Sequence, residues 1–305
     1  MESQTAMETQ RKIPSIGVLI PTWKGVKQLR NCLTPLIQSS LKPRILIIDS
    51  SSDDGTIELA ESLGVEICLI PQKEFNHGTT REWGRKKLAT DIVVMMTQDA
   101  YATSADMLEK LVAPLLSEQA SIAYARQIPH LNASFLASFS RHFNYPSEGH
   151  NRSLDDVHQY GVYTFFCSNS CAAYKNRALD EIDGFSKTLF GEDTIAVAKL
   201  LHRNHHIAYV AEAVVRHSHD YNLKEEFYRH IDIGFSRKAI QPLIQIGGKD
   251  SKRGKAYTIA LFKNLWHSHK TLIPYAFVQT FAKFFGYTLG KTCEKAPRWI
   301  KNLFK

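Results

Sequence analysis

The first hundred residues alternate short apolar runs with amphipathic segments, and this order restricts the fold more than any other feature of the sequence. Apolar runs of five or six residues are typical of buried strands, and apolar residues at helical spacing are typical of helices. The predicted strands are Ile16–Ile20, Arg44–Ile48, Val65–Ile70 and Ile92–Met96; the predicted helices are Val26–Ser39, Thr56–Leu63 and His77–Ala89. Regular strand–helix alternation predicts an α/β fold, with helices flanking a mostly parallel sheet.

The pattern is less regular beyond residue 106. Residues 128–157 are polar and aromatic with weak periodicity, and from residue 224 onward the chain is predicted to be mostly helical. Further predicted elements are the helices Met107–Ser117 and Asp193–His202 and the strands Ile122–Arg126, Phe165–Tyr174, Ile207–Val210 and Val214–His217. We expect a flexible tail over residues 1–14, a domain over 15–240 and a helical, amphipathic, basic region over 241–305.

Positive charge is concentrated near the carboxyl terminus. Residues 251–305 contain 11 Lys or Arg and one acidic residue, whereas the other 250 residues contain 27 basic and 29 acidic residues. The near-neutral main part argues against a nucleic-acid-binding face there. Aromatic residues interleaved with Lys and Arg predict that 291–305 lies on an anionic membrane surface, while the apolar part of 257–289 packs on the domain or joins that surface.

Several classes of protein are disfavoured by what the sequence lacks. The longest uncharged apolar run, 271–282, has 12 residues and contains Pro274, whereas a membrane-spanning helix needs ~20. Residues 1–12 show no apolar stretch of the kind found in signal peptides, so we expect a cytoplasmic protein. The five scattered cysteines indicate reduced thiols rather than a disulfide framework or zinc site. Neither a G-x-G-x-x-G nor a P-loop pattern follows a predicted strand.

Acidic residues follow two of the predicted strands. Asp49 comes after the second strand and Asp99 after the fourth. Because ligands of open α/β sheets bind beyond the carboxyl ends of the strands, Asp49 could accept a hydrogen bond from a base or ribose. Asp99 could hold a divalent cation against a diphosphate. Turn formation is the alternative for both residues.

Ten stretches of the sequence, two of which overlap at residues 75–81, resemble a known family. "IPTWKG", "ILIIDSSSDDGT", "FNHGTTRE", "MMTQDA" and "FGEDTIAVAKLL" resemble family 2 glycosyltransferases of the GT-A fold. "IPQKEFNHGTTR", "YARQIPH", "FNYP", "FFCSNSCAAYK" and "HSHDYNLKEEFYRHIDIGF" resemble bacterial rhamnosyltransferases of surface-polysaccharide assembly. The resemblance covers roughly residues 15–236. The D-x-D motif of the family is shortened here to Gln98-Asp99, and Glu82 adds a negative charge near the expected anion site.

The resemblance implies a Rossmann-like GT-A sheet with a nucleotide-binding half (15–105) and an acceptor-binding half (106–240). It implies an inverting hexosyltransferase that uses Mn²⁺ or Mg²⁺ and moves L-rhamnose from dTDP-L-rhamnose to a lipid-linked glycan. The enzyme would work at the inner face of the cytoplasmic membrane. A UDP-sugar donor, a nucleotidyltransferase and a non-catalytic nucleotide-sugar-binding protein are the alternatives.

The resemblance also assigns site residues. Inverting displacement needs one carboxylate to take the acceptor's proton; Asp193 is predicted for this role and Glu192 is second, although both could simply cap a helix. Metal ligands are Asp99 with His217 or His219, and imidazole favours Mn²⁺. The predicted nucleotide-sugar contacts are Pro21, Thr22, Asp49, His77, Gly78, Arg81, Gln98 and Asp99, and the predicted acceptor contacts are Arg126, His130 and Asn169. Arg81 could instead pair on the surface with Glu82 or Glu74.

Overall fold

A computed structural model describes residues 14–188 and 190–292. These residues contain one nine-stranded sheet. Its strands are β1 (Ile16–Thr22), β2 (Arg44–Asp49), β3 (Glu66–Leu69), β4 (Ile92–Met96), β5 (Tyr101–Ala102), β6 (Ile122–Ile128), β7 (His150–Arg152), β8 (Cys171–Lys175) and β9 (Ile207–Arg216). The spatial order is β3-β2-β1-β4-β8-β6-β9-β5, and β7 also pairs with β9.

Eleven α-helices accompany the sheet within the described ranges. They are α1 (Val26–Ile37), α2 (Thr56–Ser62), α3 (His77–Leu88), α4 (Met107–Leu116), α5 (Phe135–Asn144), α6 (Val157–Tyr160), α7 (Asn176–Asp180), α8 (Glu192–Leu201), α9 (Leu223–Ile244), α10 (Asp250–Ser268) and α11 (Ile273–Thr292). The α/β alternation predicted over the first hundred residues is therefore confirmed.

The sheet has an apolar core on each face. On one face, Leu19 and Met95 pack with residues of α8; on the other, Ile20 and Met96 pack with residues of α1 and α4. Successive residues of a strand point to opposite faces, so a strand covered on both sides must be apolar throughout. This explains why the strands appear in the sequence as continuous apolar runs.

The second half of the sheet mixes strand directions. β1 pairs in parallel with β2 and β4, and β2 with β3, but β8 is antiparallel to both β4 and β6. The predicted strand at residue 165 begins later, at Cys171, because 161–165 form a 3₁₀-helix. The two short strands predicted over 207–217 are one strand, β9, with a register shift opposite Ala125 and Arg126.

The loops that carry the predicted site residues leave the sheet at one edge. Since β8 is antiparallel to both β4 and β6, and β9 is parallel to β6, strands β1, β2, β4, β6 and β9 all run in the same direction. Their carboxyl ends therefore share an edge with the amino end of β8, where Cys171 pairs with Met96. Ligand sites of α/β proteins lie at such an edge.

Three long helices follow β9. Helix α9 begins at a capping box in which the Asn222 side chain accepts from the Glu225 N–H and the Glu225 carboxylate accepts from the Asn222 N–H. Helix α11 packs against α9, and α10 packs against α5. Helical structure after residue 224 is confirmed up to residue 292. Residues 1–13 of the predicted tail (1–14) and residues 293–305 of the predicted membrane segment (291–305) lie outside the described residues.

Two sequence predictions concern membrane spans and thiols. Over the described residues, the structure contains no helix whose length and hydropathy would allow it to cross a bilayer. The four described cysteines, Cys32, Cys68, Cys167 and Cys171, are free thiols, as predicted. Three of the four are buried, and burial raises the pKa of the Cys167 thiol to about 12, so this group is protonated at neutral pH.

Candidate active site

Asp49 lies buried at the end of β2, where it joins two loops. One carboxylate oxygen accepts from the Thr22 hydroxyl at 2.7 Å and from the Ser52 hydroxyl at 2.8 Å, and the other accepts from the Ser52 N–H at 2.7 Å. Pro21 lies within β1, opposite Ile48. Asp49 and Thr22 therefore shape the rim of the predicted nucleoside site, and direct contact between Asp49 and a nucleoside stays a prediction.

Gln98 fastens the loop after β4 to the loop after β1. Its amide accepts from the Trp23 N–H at 2.9 Å and donates to the Trp23 carbonyl at 3.1 Å. A Cβ on Gly25 would lie 2.5 Å from the Gln98 amide oxygen, so a side chain at residue 25 would displace the Gln98 amide from this position. Gln98 thus holds the two loops together and leaves Trp23 48% exposed at the rim.

Helix α3 begins with a side-chain cap that occupies the N–H of Gly78, one of the predicted nucleotide-sugar contacts. The Asn76 side chain accepts from the N–H groups of Gly78 and Thr79, both at 3.1 Å. A Cβ on Gly78 would lie 1.9 Å from the Ser186 carbonyl oxygen. The geometry therefore gives Gly78 a packing role, and a diphosphate could reach its N–H only if the cap bond opened.

Arg81 and Glu192 form a buried ion pair. Their Nη1 and Oε1 atoms are 3.1 Å apart and the side chains are 3% and 7% exposed. The same Arg81 nitrogen donates to the His77 carbonyl at 3.1 Å. Burial and the Arg81 charge lower the pKa of His77, against an opposing effect of Glu192. The alternative that Arg81 pairs on the surface with Glu82 or Glu74 is wrong.

Glu82 does not face the expected anion site. Its carboxylate accepts two hydrogen bonds of 2.7 Å from Arg85 and one of 2.9 Å from the Phe185 N–H. It also lies against Gly184, whose φ of +72° favours glycine. The negative charge of Glu82 is thus balanced by Arg85 and holds the turn that follows α7.

Asn169 joins the two acids at the start of α8. Its side-chain amide donates to Glu192 at 3.0 Å, its backbone N–H donates to Asp193 at 3.3 Å, and its amide oxygen accepts from the Tyr174 hydroxyl at 2.8 Å. Asn169 is 3% exposed. Sequence reasoning placed this residue on the acceptor side, but the structure places it behind the acid pair, where it positions both carboxylates.

The two neighbouring acids differ in pKa. Burial and the adjacent Glu192 charge raise the pKa of Asp193 to about 7. Burial alone would raise the pKa of Glu192 as well, but Arg81 and the Asn169 hydrogen bond hold it below its ordinary value. At neutral pH Glu192 is charged, and Asp193 can both take up and release a proton, which suits a general base.

Asp99, His217 and His219 form a cluster that could hold a metal ion. One ligand atom from each lies within 4.8 Å of the others. The Nε2 atoms of His217 and His219 are 3.4 Å and 3.5 Å from the same Asp99 oxygen. The sequence left open which histidine accompanies Asp99, and the structure brings both to it.

The protonation states in this cluster match those of metal ligands. Burial alone would raise the pKa of Asp99, but the hydrogen bond and charge of His217, with His219, hold it well below its ordinary range. Burial lowers the pKa of His217, and it lowers that of His219 to about 4. A carboxylate and two neutral imidazoles are the forms that bind a divalent ion, and this donor set fits Mn²⁺ better than Mg²⁺.

Gln127 orients His217, and sequence reasoning missed it. The Gln127 side-chain oxygen accepts from Arg141 at 2.9 Å and lies 2.8 Å from Nδ1 of His217; its amide nitrogen donates to Ser168. Because arginine can only donate, this oxygen must face Arg141, so His217 Nδ1 carries a proton. Its Nε2 atom, which faces Asp99, then donates to the carboxylate when the ring is protonated and can bind a metal ion when the ring is neutral. The available signal was the position of Gln127 near the end of a strand, within "YARQIPH".

The remaining acceptor candidates lie around the end of β6. Arg126 sits at the register shift, and its Nε atom is buried with no hydrogen-bond partner among the described residues. The His130 ring lies 5.0 Å from the Tyr101 ring. The aromatic residues of α5 pack on α10 instead: the rings of Phe139 and Phe143 are 5.4 Å and 5.1 Å from that of Tyr257. These rings therefore pack between α5 and α10.

The chain is similar in sequence to two rhamnosyltransferases. The chain is 38% identical over 293 residues to the O-antigen chain rhamnosyltransferase RfbN of Salmonella typhimurium, covering 92% of this chain and 91% of that protein. It is 36% identical over 299 residues to the O-antigen chain rhamnosyltransferase WbaN of Salmonella anatum, covering 93% and 92%.

Solved structures support the fold. The mannosyltransferase PcManGT from Pyrobaculum calidifontis, in complex with GDP-Man and Mn²⁺, superposes with a TM-score of 0.63 at 13% identity, over 94% of this chain and 88% of that chain. This confirms the predicted GT-A-like fold. The family model for glycosyl transferase family 2 matches residues 17–183, which contain both strand-end acids and Asn169. From this match and from the two relatives that align over nearly its whole length, the chain belongs to glycosyl transferase family 2.

Proposed function

We propose that this glycosyltransferase moves L-rhamnose from dTDP-L-rhamnose to a glycan acceptor of surface-polysaccharide synthesis, with inversion at the anomeric carbon. The observation that carries the proposal is the shared sheet edge, where the acid pair and the Asp99–His217–His219 cluster meet the loops after β1 and β2. The rhamnosyl group is supported by the two Salmonella relatives, which are named O-antigen chain rhamnosyltransferases. Family membership favours a glycosyltransferase over the nucleotidyltransferase alternative.

Asp193 acts as the base in this proposal. It takes the proton from the acceptor hydroxyl as that oxygen attacks the anomeric carbon of the donor. The new glycosidic bond forms as the bond to the diphosphate breaks, and dTDP leaves with the electron pair. Glu192 stays charged against Arg81, and Asn169 holds both acids in place.

Asp99, His217 and His219 would hold a divalent metal ion, with Mn²⁺ preferred. When bound, the ion would neutralise the charge that develops on the leaving diphosphate. The PcManGT complex with GDP-Man and Mn²⁺ supports a metal in proteins of this fold.

The acceptor is proposed to be lipid-linked, with the protein peripheral to the inner face of the cytoplasmic membrane. The support is an exposed aromatic face on α11, where Phe277, Phe281, Phe284 and Phe285 are each more than half exposed. Residues 249–292 contain eight basic residues and one acidic residue. Exposed aromatic rings beside excess positive charge suit an anionic lipid surface better than a second copy of the same positively charged region.

Thermal stability measured with nucleotides tests the donor site. We expect dTDP with Mn²⁺ to raise the melting temperature of the wild type, because a ligand that binds only the folded state stabilises it, by about 2.7 kcal/mol at 100 times its Kd. Asp99→Ala should lose the metal-dependent part of the shift. Asp106→Ala, which removes an exposed carboxylate paired with Lys110, is the matched control and should keep the shift.

The same measurement tests the alternatives. A larger rise in melting temperature with UDP than with dTDP would show that the donor carries uracil rather than thymine. If none of dTDP, UDP and GDP raises the melting temperature of the wild type in the presence of Mn²⁺ or Mg²⁺, nucleotide-sugar transfer is ruled out.

A further inference from the structure

We propose that Arg229 binds the diphosphate of the donor, an inference that rests on the proposed function. Arg229 lies on α9 between two aromatic rings. Its guanidinium carbon is 5.0 Å from the centre of the Phe190 ring and 5.1 Å from that of Tyr221, and its Nη1 atom donates to the Tyr221 hydroxyl at 3.3 Å. Cation–π contact with both rings fixes the position of the charge.

The two rings contact different parts of the site: Tyr221 borders the Asp99–His217–His219 cluster, and Phe190 borders the start of α3. The Tyr221 ring stacks on His219 at 5.0 Å, whereas the Phe190 ring is 5.7 Å from His77 at the start of α3. Arg229 therefore lies between the Asp99–His217–His219 cluster and the Arg81–Glu192 pair.

Arg229 has no acidic partner in the part of the chain that the structure describes, and the same holds for Arg126 and Arg141; Arg229 is distinguished by its place between two rings that border both parts of the site. Among the described residues, no carboxylate lies within ion-pairing distance of its guanidinium. By contrast, three buried or half-buried arginines each have one, in the pairs Arg81–Glu192, Arg85–Glu82 and Arg237–Asp250. A half-buried cation without a counter-charge is ready to receive an anion from solution.

A diphosphate fits this cation chemically. Guanidinium presents a planar fork of donors that matches two phosphate oxygens, and such charge-assisted hydrogen bonds are stronger than neutral ones. As the anomeric carbon–oxygen bond breaks, negative charge grows on the leaving diphosphate, and Arg229 would stabilise it from the α9 side. Arg81, which the sequence suggested for this role, is already paired with Glu192.

Binding measurements on the full chain test this assignment. Titration calorimetry in the presence of Mn²⁺ would compare dTDP binding to the wild type, Arg229→Met and Arg229→Lys, and ligand-observed NMR would measure thymidine binding, since thymidine has no phosphate. We expect Arg229→Met to weaken dTDP binding by about 10- to 100-fold and leave thymidine binding unchanged, because a charge-assisted contact is lost. Arg229→Lys should restore part of the affinity. Arg203→Met changes an exposed arginine in the turn after α8, at the end of that helix away from Glu192 and Asp193, and should behave as the wild type.

Each result separates the inference from the proposed function. Equal dTDP affinity of Arg229→Met and wild type would overturn the assignment while leaving the transferase proposal intact. Equal weakening of dTDP and thymidine would show that Arg229 only supports the fold. If the wild type binds none of dTDP, UDP and GDP, the proposed function fails and the inference fails with it.

Discussion

At the scale of single residues, Glu192 and Asp193 are adjacent acids in opposite electrostatic surroundings. Glu192 faces Arg81 and the Asn169 amide. Among the residues that the structure describes, Asp193 accepts only from backbone N–H groups and the Thr194 hydroxyl, and it lies beside the Glu192 charge. The same burial therefore leaves one acid charged and gives the other a pKa of about 7. Neighbouring acids separated in this way can take different roles in one reaction.

Asp193→Asn should reduce the turnover rate by about 10²- to 10⁴-fold, because the proton acceptor is lost. In the wild type, we expect activity to fall as the pH drops below about 7, where Asp193 becomes protonated. A pH–rate profile with dTDP-L-rhamnose and a rhamnosyl acceptor would check both points. Asp155→Asn changes an exposed acid and serves as the matched control. An active Asp193→Asn enzyme would exclude this residue as the base.

The same group predicts a pH dependence of stability. The pKa of Asp193 is raised from its ordinary value of 3.8, which applies to the unfolded chain, to about 7 in the folded protein. Between about pH 4 and pH 7 the folded protein therefore holds a proton on Asp193 that the unfolded chain has released. The unfolding free energy contributed by this group therefore falls as pH rises from about 4 to 7 and then levels off. Asp193→Asn cannot titrate at this position, so its unfolding free energy does not fall in this way. The melting temperature of the variant minus that of the wild type should therefore be larger at pH 8 than at pH 5. An equal difference at both pH values would contradict the raised pKa.

At the scale of elements, helices α9 and α11 approach each other across glycines. A Cβ on Gly290 would lie 2.1 Å from the Ile231 carbonyl oxygen, and one on Gly286 would lie 2.5 Å from that of Phe227. A Cβ on Gly234, on the facing helix, would lie 2.4 Å from the Tyr287 carbonyl oxygen. Backbone atoms cannot rotate away as side chains can, so side chains at these positions would force the helices apart.

Gly290→Leu should lower the unfolding free energy by about 1–3 kcal/mol, the usual cost of overpacking. Gly254→Ala is the matched control on α10, where an added Cβ meets no atom within 4 Å. Alanine there should stabilise the protein by up to about 1 kcal/mol through helix propensity. Urea unfolding of both variants would measure the two changes. If Gly290→Leu unfolds at the wild-type midpoint, the close helix packing is disproved.

At the scale of the whole molecule, the α11 aromatic face lies on a basic helical region attached to a nearly neutral domain. The excess of positive charge attracts an anionic surface, and the rings supply apolar area to bury in it. We therefore expect the proposed membrane contact to include α11 and so to begin before residue 291.

Phe277→Ser, Phe281→Ser and Phe284→Ser together should reduce binding to anionic phospholipid vesicles by at least about tenfold, because apolar burial is lost. Flotation of the full chain with anionic and with zwitterionic vesicles would measure this, and high salt should weaken wild-type binding. Leu131→Ser, at an 83% exposed leucine far from α11 in sequence, is the control. A dimer in solution that the triple variant dissociates would instead identify a second copy as the partner of this face.

The sequence by itself determined the β-α-β-α order and the positions of the acids at the end of β2, after β4 and at the start of α8, because strand and helix periodicity are local properties of the chain. It also indicated a buried sheet, since strands covered on both faces must be apolar throughout. Tertiary structure alone decided which distant groups meet: Arg81 with Glu192, and Gln127 with His217, 90 residues away in the chain. It also decided protonation, because burial and neighbouring charges set the pKa of Asp193. Neither the contacts between distant residues nor these pKa values can be read from sequence spacing, since both depend on packing between elements that are far apart in the chain.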